Sequence, residues 1–192
     1  YLANIVRKMD LEKKIVILPN SVDLDFFRPM EKEEAAKEIG LEWIIDKKVV
    51  AYVGAIEPWV DLESLLRASK DIVKKDYDIH LLLVGWSYSS YAKQIMQLAK
   101  MLEIEKHVTF TGFVPYAKVP YYINSADIAI APYKNVPKNE VTPLKILEYL
   151  ACGKLTLTTS IGEIVKRFGK YLDVYKSEKD LKVKLMLALG SK

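Results

Sequence analysis

The sequence predicts an α/β protein built on a doubly wound, Rossmann-like parallel sheet, and three observations predict it. From residue 48 onward short apolar runs alternate regularly with longer amphipathic stretches. The runs are continuously apolar, as in strands buried on both faces. Glycine closes three of them, at Gly54, Gly85 and Gly112, where the missing Cβ lets backbone or ligand approach closely.

Composition sets the limits. A chain of 192 residues, 51% hydrophobic and 28% charged, can bury one sizeable core. Its 29 basic and 25 acidic residues are interspersed, with a net charge of +4, so nucleic acid is not an expected partner. The single Cys152 excludes an intrachain disulfide framework and a cysteine-rich zinc site, and points to a reducing, cytoplasmic compartment. No apolar run approaches the length of a membrane span.

In chain order, residues 1–9 read as a helix that begins without a cap, as though cut from a longer sequence. Residues 14–18 (Lys-Ile-Val-Ile-Leu) read as a strand and Pro19-Asn20-Ser21 as a turn. Residues 1–34 are thus a leading helix and linker strand, and 35–192 the Rossmann-like domain. A short helix at 31–39 ends at Gly40. Strands follow at 49–54, 80–85, 107–112, 127–131, 155–159 and 171–175. Helices fall at 61–76, 89–102, near 117–124, 143–152, near 161–168 and from about 177. In such a sheet ligands sit beyond the carboxyl ends of the strands.

The helix at 143–152 organises the rest. Thr142 can serve as N-cap, Pro143 fits the first helical position, and Gly153 can supply the left-handed residue that ends the helix. Leu144, Ile146, Leu147, Tyr149, Leu150 and Ala151 make nearly every side apolar, so the helix should pack on the sheet. Its two charges, Lys145 and Glu148, share a face. Lys145 lies in the first turn, where free N–H groups and the helix dipole favour a phosphate. Glu148 is about 5 Å further along the axis, roughly the offset from a nucleotide's phosphates to its ribose hydroxyls, which a carboxylate can accept. The plain alternative is a surface ion pair worth a few tenths of a kcal/mol.

Other signals read as structural. Asp23-Leu-Asp25 and Asp76-Tyr-Asp78 spell a metal-binding Asp-x-Asp, but the first belongs to a turn and the second precedes its strand, on the wrong edge. His80 and His107 begin strands without nearby acids, so no metal site is expected. Cys152 reads as packed and inert. Trp86, Ser87 and Tyr88 cluster at a strand's carboxyl end and are candidates to line a cleft, or to shield the sheet; Tyr116, Tyr121, Tyr122 and Tyr133 read as core or rim.

The segment from Ile17 to Asp23 with Phe27 and Pro29, the strands ending at Gly54, Gly85 and Gly112, and above all Glu140-x7-Glu148 followed by Tyr-Leu-Ala-Cys-Gly, resemble one family over essentially the whole chain. It is the C-terminal, donor-nucleotide-binding half of the group 1 (family 4) retaining glycosyltransferases of GT-B fold. The resemblance implies that Glu148 holds the ribose hydroxyls of a nucleotide diphosphate-sugar and that Glu140 lies against the sugar ring near the reacting carbon. It implies that backbone around Thr142, Pro143, Leu144 and Lys145 cradles the diphosphate, that Gly54 lies at the donor site, and that backbone near Val114 meets the nucleobase. Lys145 would neutralise the departing phosphate. No cofactor or metal is implied.

Two departures stand out. The strand ending at Gly54 is usually followed by an arginine and a lysine that bind diphosphate, whereas Ala55, Ile56, Glu57, Pro58, Trp59 and Val60 supply neither. Ser21 replaces a glycine, which predicts strain or a left-handed Asn20. The acceptor site of the family lies in an N-terminal half that this chain does not contain, so the isolated domain is expected to be inactive. The parent enzyme is expected in surface polysaccharide or glycolipid synthesis, with peripheral contact at the inner membrane face. A GT-B-like sugar-nucleotide epimerase, a phosphorylase and a non-catalytic α/β nucleotide-binding module are the alternatives.

Overall fold

The computed structural model describes residues 2–9, 14–16, 18–75, 78–86, 89–134 and 143–190. Among these, six parallel strands form one sheet: β1 (Lys48–Val53), β2 (Ile79–Val84), β3 (Val108–Gly112), β4 (Ile128–Ala131), β5 (Leu155–Thr159) and β6 (Leu172–Tyr175), in the order β3-β2-β1-β4-β5-β6. The helices are α1 (Leu2–Met9), α2 (Lys32–Glu38), α3 (Leu62–Val73), α4 (Tyr91–Met101), α5 (Val119–Asn124), α6 (Leu144–Ala151), α7 (Gly162–Phe168) and α8 (Glu178–Ala188).

The continuous apolar runs are buried on both faces, as their composition requires. Val50, Tyr52, Leu81 and Leu83 point into a core with α3, α4 and α8, while Val49, Ala51, Leu82 and Val84 point into a second core with α2, α5, α6 and α7. Asp61 caps α3 and Ser177 caps α8, each side chain accepting a backbone N–H. α6 ends in a Schellman turn: Gly153 takes φ 68°, its N–H reaches the Leu150 carbonyl, and the Lys154 N–H reaches Tyr149.

Strand order reverses between β1 and β4, and the two pair only at Val50–Ile128 and Ala51–Ala129. Above that point the Tyr149 hydroxyl takes the missing neighbour's place, accepting the Val53 N–H at 2.9 Å and donating to the Val53 carbonyl at 3.2 Å. The sheet is therefore split at its carboxyl end, where open α/β sheets bind their ligands.

Three local expectations are corrected. The strand expected at 14–18 does not form over residues 14–16 and 18: Val16 and Leu18 are 67% and 86% exposed, with no described strand beside them to supply ladder hydrogen bonds. Ile17 lies outside the described residues. Asn20 is not left-handed; among the described residues Glu103 is the one non-glycine with positive φ. Pro143, extended at φ −66° and ψ 120°, is itself the N-cap of α6, one residue later than predicted, and no side chain caps it. Thr142 lies outside the described residues.

The packed body reaches back into the leading segment. Phe27 is 1% exposed within the second core. The buried Asn124 side chain accepts the Met30 N–H and donates to the Arg28 and Pro120 carbonyls.

Candidate functional site

α6 delivers Lys145 into the split between β1 and β4. Its Nζ donates to the Tyr52 hydroxyl at 2.8 Å and lies 4.1 Å from the Tyr52 ring centroid and 5.6 Å from that of Tyr133. The Tyr52 hydroxyl passes its own proton to the Ala55 carbonyl at 2.5 Å. Glycine at 54 makes the room: a Cβ there would stand 2.4 Å from the lysine Nζ, and a Cβ on Gly85 would stand 2.0 Å from the Gly54 carbonyl oxygen. Among the described residues no carboxylate comes within ion-pair distance of Lys145. Burial pushes its pKa down to about 7, against the pull of the Glu148 charge.

Glu148 follows one turn along the same face, partly buried. Burial raises its pKa, while Lys145 and the Tyr116 hydroxyl oppose the rise. Tyr116 opens a short 3-10 turn over Tyr116–Lys118, two residues beyond the partly buried Val114. Trp86 stands at the carboxyl end of β2, 55% exposed, its indole 3.9 Å from where a Cβ on Gly112 would lie.

The structure thus brings Gly54, Lys145 and Glu148 together at the start of α6, with Pro143 buried and Leu144 half exposed beside them, Val114 near Glu148 through Tyr116, and Trp86 on the neighbouring strand end. Glu140, Thr142, Ser87 and Tyr88 lie outside the described residues. Sequence reading missed Tyr52, Tyr116 and Tyr149, whose rings look like ordinary apolar filling; a tyrosine two residues before a strand-ending glycine is the signal that marks Tyr52.

Asp23, Asp78, His80 and Cys152 sit in structural settings. Asp23 is engaged by the backbone N–H groups of Asp25 and Phe26, and Asp78 pairs with Lys47 at 2.9 Å on the amino edge; Asp76 is outside the described residues. His80 is buried against Thr109 and Trp43, which pushes its pKa down to about 4. Burial pushes the Cys152 thiol up to about 11. Among the described residues no group of three His, Cys, Asp or Glu side chains could hold a metal, and no helix is long and apolar enough to cross a membrane.

Two cavities lie beside the site. One of about 500 Å³ opens over the ends of β4, β5 and β6, is lined in part by Lys134, Ser160 and Ser177, and shares Tyr133 with the Lys145 enclosure. The other, about 830 Å³, runs between residues 19–24 and the flank of α6 and α7.

The arrangement matches a known family: the profile described as "Glycosyl transferases group 1" covers residues 35–182. The chain belongs to the group 1 glycosyltransferases. It is 31% identical over 152 residues to the D-inositol 3-phosphate glycosyltransferase of Segniliparus rotundus, covering 78% of this chain and 32% of that protein. It is 29% identical over 166 residues to the putative teichuronic acid biosynthesis glycosyltransferase TuaH of Bacillus subtilis, covering 85% and 38%. The chain thus spans about a third of the length of these relatives. Its fold superposes on Anabaena HepE, solved in complex with UDP and glucose, at a TM-score of 0.73 and 17% identity, over 92% of this chain and 50% of that one. One Rossmann-like half of a GT-B glycosyltransferase is what the fold represents.

Proposed function

We propose that this chain is the donor-binding half of an enzyme that moves a sugar from a nucleotide diphosphate-sugar to an acceptor hydroxyl with retention of configuration, in the assembly of a surface polysaccharide or glycolipid on the cytoplasmic side of the membrane. The observation that carries the reading is Lys145: a cation enclosed at the β1–β4 split, without a carboxylate partner among the described residues, at the mouth of a helix whose N-cap has no side-chain hydrogen bond. Such a position suits a diphosphate, whose negative charge grows as the bond from the anomeric carbon to the phosphate oxygen breaks. Lys145 takes over the charge neutralisation that the segment after Gly54 lacks, so no metal is required for it. Glu148 accepts the ribose hydroxyls, and Glu140, by its family position, faces the sugar. The UDP in HepE supports the donor class, and the name of the Bacillus relative supports the surface-polysaccharide setting. The acceptor and any peripheral membrane contact belong to the N-terminal half of the parent enzyme.

Calorimetric titration with uridine, guanosine and adenosine diphosphates tests this reading. Lys145→Ala should weaken the diphosphate that binds by roughly 10- to 100-fold, the range of one charged hydrogen bond, and the matching nucleoside hardly at all. Equal weakening of both overturns the phosphate role. Glu148→Ala should weaken nucleoside and diphosphate alike, and unchanged affinity overturns the ribose role.

A further inference from the structure

Tyr52 is fully buried on β1, and its hydroxyl is committed on both sides. Its proton goes to the Ala55 carbonyl at 2.5 Å, just beyond the strand-ending Gly54, and its oxygen accepts an N–H from Lys145 at 2.8 Å. A phenol whose proton is already placed can meet a further neighbour only as an acceptor. Burial foremost, then the neighbouring tyrosines and Glu57, pushes the Tyr52 pKa well above its ordinary value, so the phenol stays neutral and orients the cation without cancelling its charge. An ammonium has three N–H groups. One is held by Tyr52, which leaves two. A lysine side chain is otherwise free to rotate, and ordering it on ligand binding costs entropy.

We propose that Tyr52 is a positioning residue for Lys145: its hydroxyl, fixed as an acceptor by the Ala55 carbonyl, holds one ammonium N–H so that the other two are left for the oxygens of a diphosphate at the β1–β4 split. The inference rests on the nucleotide-sugar reading above and adds to it a residue that acts through Lys145 without touching the ligand. It also gives the segment after Gly54, which carries no arginine or lysine, a task at the site. The Ala55 carbonyl sets the hydroxyl, and the hydroxyl sets the cation.

Two measurements on the 192-residue chain test this. Tyr52→Phe keeps the ring and removes the acceptor. In the ligand-free chain, NMR of the lysine Nζ groups should show the Lys145 titration midpoint about one pH unit below its native position, because a hydrogen bond that favours the charged form is gone. The other groups that face this cation, the Tyr133 ring and the Glu148 charge further along α6, are the same in both chains. In calorimetric titration with uridine, guanosine and adenosine diphosphates, the variant should weaken the diphosphate that binds about tenfold at pH 8, in line with loss of a hydrogen bond to a charged group. Its affinity should fall with rising pH about one unit earlier than that of the native chain. The matching nucleoside should bind both chains alike, which also reports that the fold survives. Added to Lys145→Ala, Tyr52→Phe should cost nothing further, as expected for two residues acting as one unit. A midpoint and pH profile that stay at native values, equal weakening of nucleoside and diphosphate, or full additivity with Lys145→Ala overturns the role of Tyr52 while leaving the donor site standing. A native chain that binds none of the three diphosphates overturns both.

Discussion

Two lysines stand at the carboxyl edge of the sheet in nearly matched settings. Lys134 lies 4.9 Å from the Tyr91 ring centroid and 3.3 Å from its hydroxyl; Lys145 lies 4.1 Å from the Tyr52 ring and 2.8 Å from its hydroxyl. They differ in one partner. The Glu63 carboxylate meets Lys134 at 2.8 Å and also accepts the Tyr91 hydroxyl, which in turn reaches the Val60 carbonyl, so this network closes on itself. Burial pushes the Glu63 carboxyl up, but the hydrogen bonds from Lys134 and Tyr91 outweigh it and hold it below the usual carboxylate range. Among the described residues Lys145 has the aromatic enclosure without the acid. The first lysine ties α3 and α4 to the end of β4, and the second is the one to which the proposed function gives an anion from outside. A tyrosine cage therefore says little about a lysine's role; the presence of an acid decides it.

That contrast is sharpest in pH dependence. The proposed diphosphate would favour the charged lysine, whose pKa in the free chain is pushed down to about 7. Affinity should be full below pH 7 and fall by up to about tenfold per unit above it, until the pKa of the bound state is reached. Calorimetry in buffers of differing ionisation enthalpy should register proton uptake near pH 8. A flat profile from pH 6 to 9 would break the comparison.

Next in size is Glu63→Gln, which strips Lys134 of its acid. The pair is partly exposed, so about 1 kcal/mol of stability should be lost, lowering the melting temperature by about 2–4 °C, with diphosphate affinity unchanged. A further check is Lys145→Met in the ligand-free chain. A lysine held at about 7 in the fold and near 10.5 when unfolded penalises the folded state fully below pH 7. That penalty is relieved as pH rises toward 10.5, because the unfolded chain binds the extra proton in that interval. The methionine variant should melt higher than native at pH 6, with the difference closing by pH 10. A lower melting temperature at both pH values would show that the cation stabilises its own cage.

Much of this was legible in the sequence, because local rules and packing agree. Strands from Lys48 to Tyr175 lie where unbroken apolar runs and strand-ending glycines put them, and Lys145 and Glu148 share a face because helical spacing requires it. The failures have a common cause. Residues 14–18 have the composition of a strand, but ladder formation depends on a neighbour that composition cannot supply. The enclosing tyrosines escaped because a phenol in an apolar run reads as filling, and only the fold shows whether its hydroxyl meets backbone, a lysine or a carboxylate. The depressed pKa of Lys145 likewise comes from burial, which neighbours distant in sequence impose.

The buried amide of Asn124 has a consequence for anyone wishing to move this unit between proteins. It grips the backbone at Arg28 and Met30, while Phe27 plugs the core just upstream. A graft begun at residue 35, where the family profile starts, would strip that amide of two of its three partners and leave a hole behind α5; a transplant begun before Asp23 carries its own collar and keeps the seal.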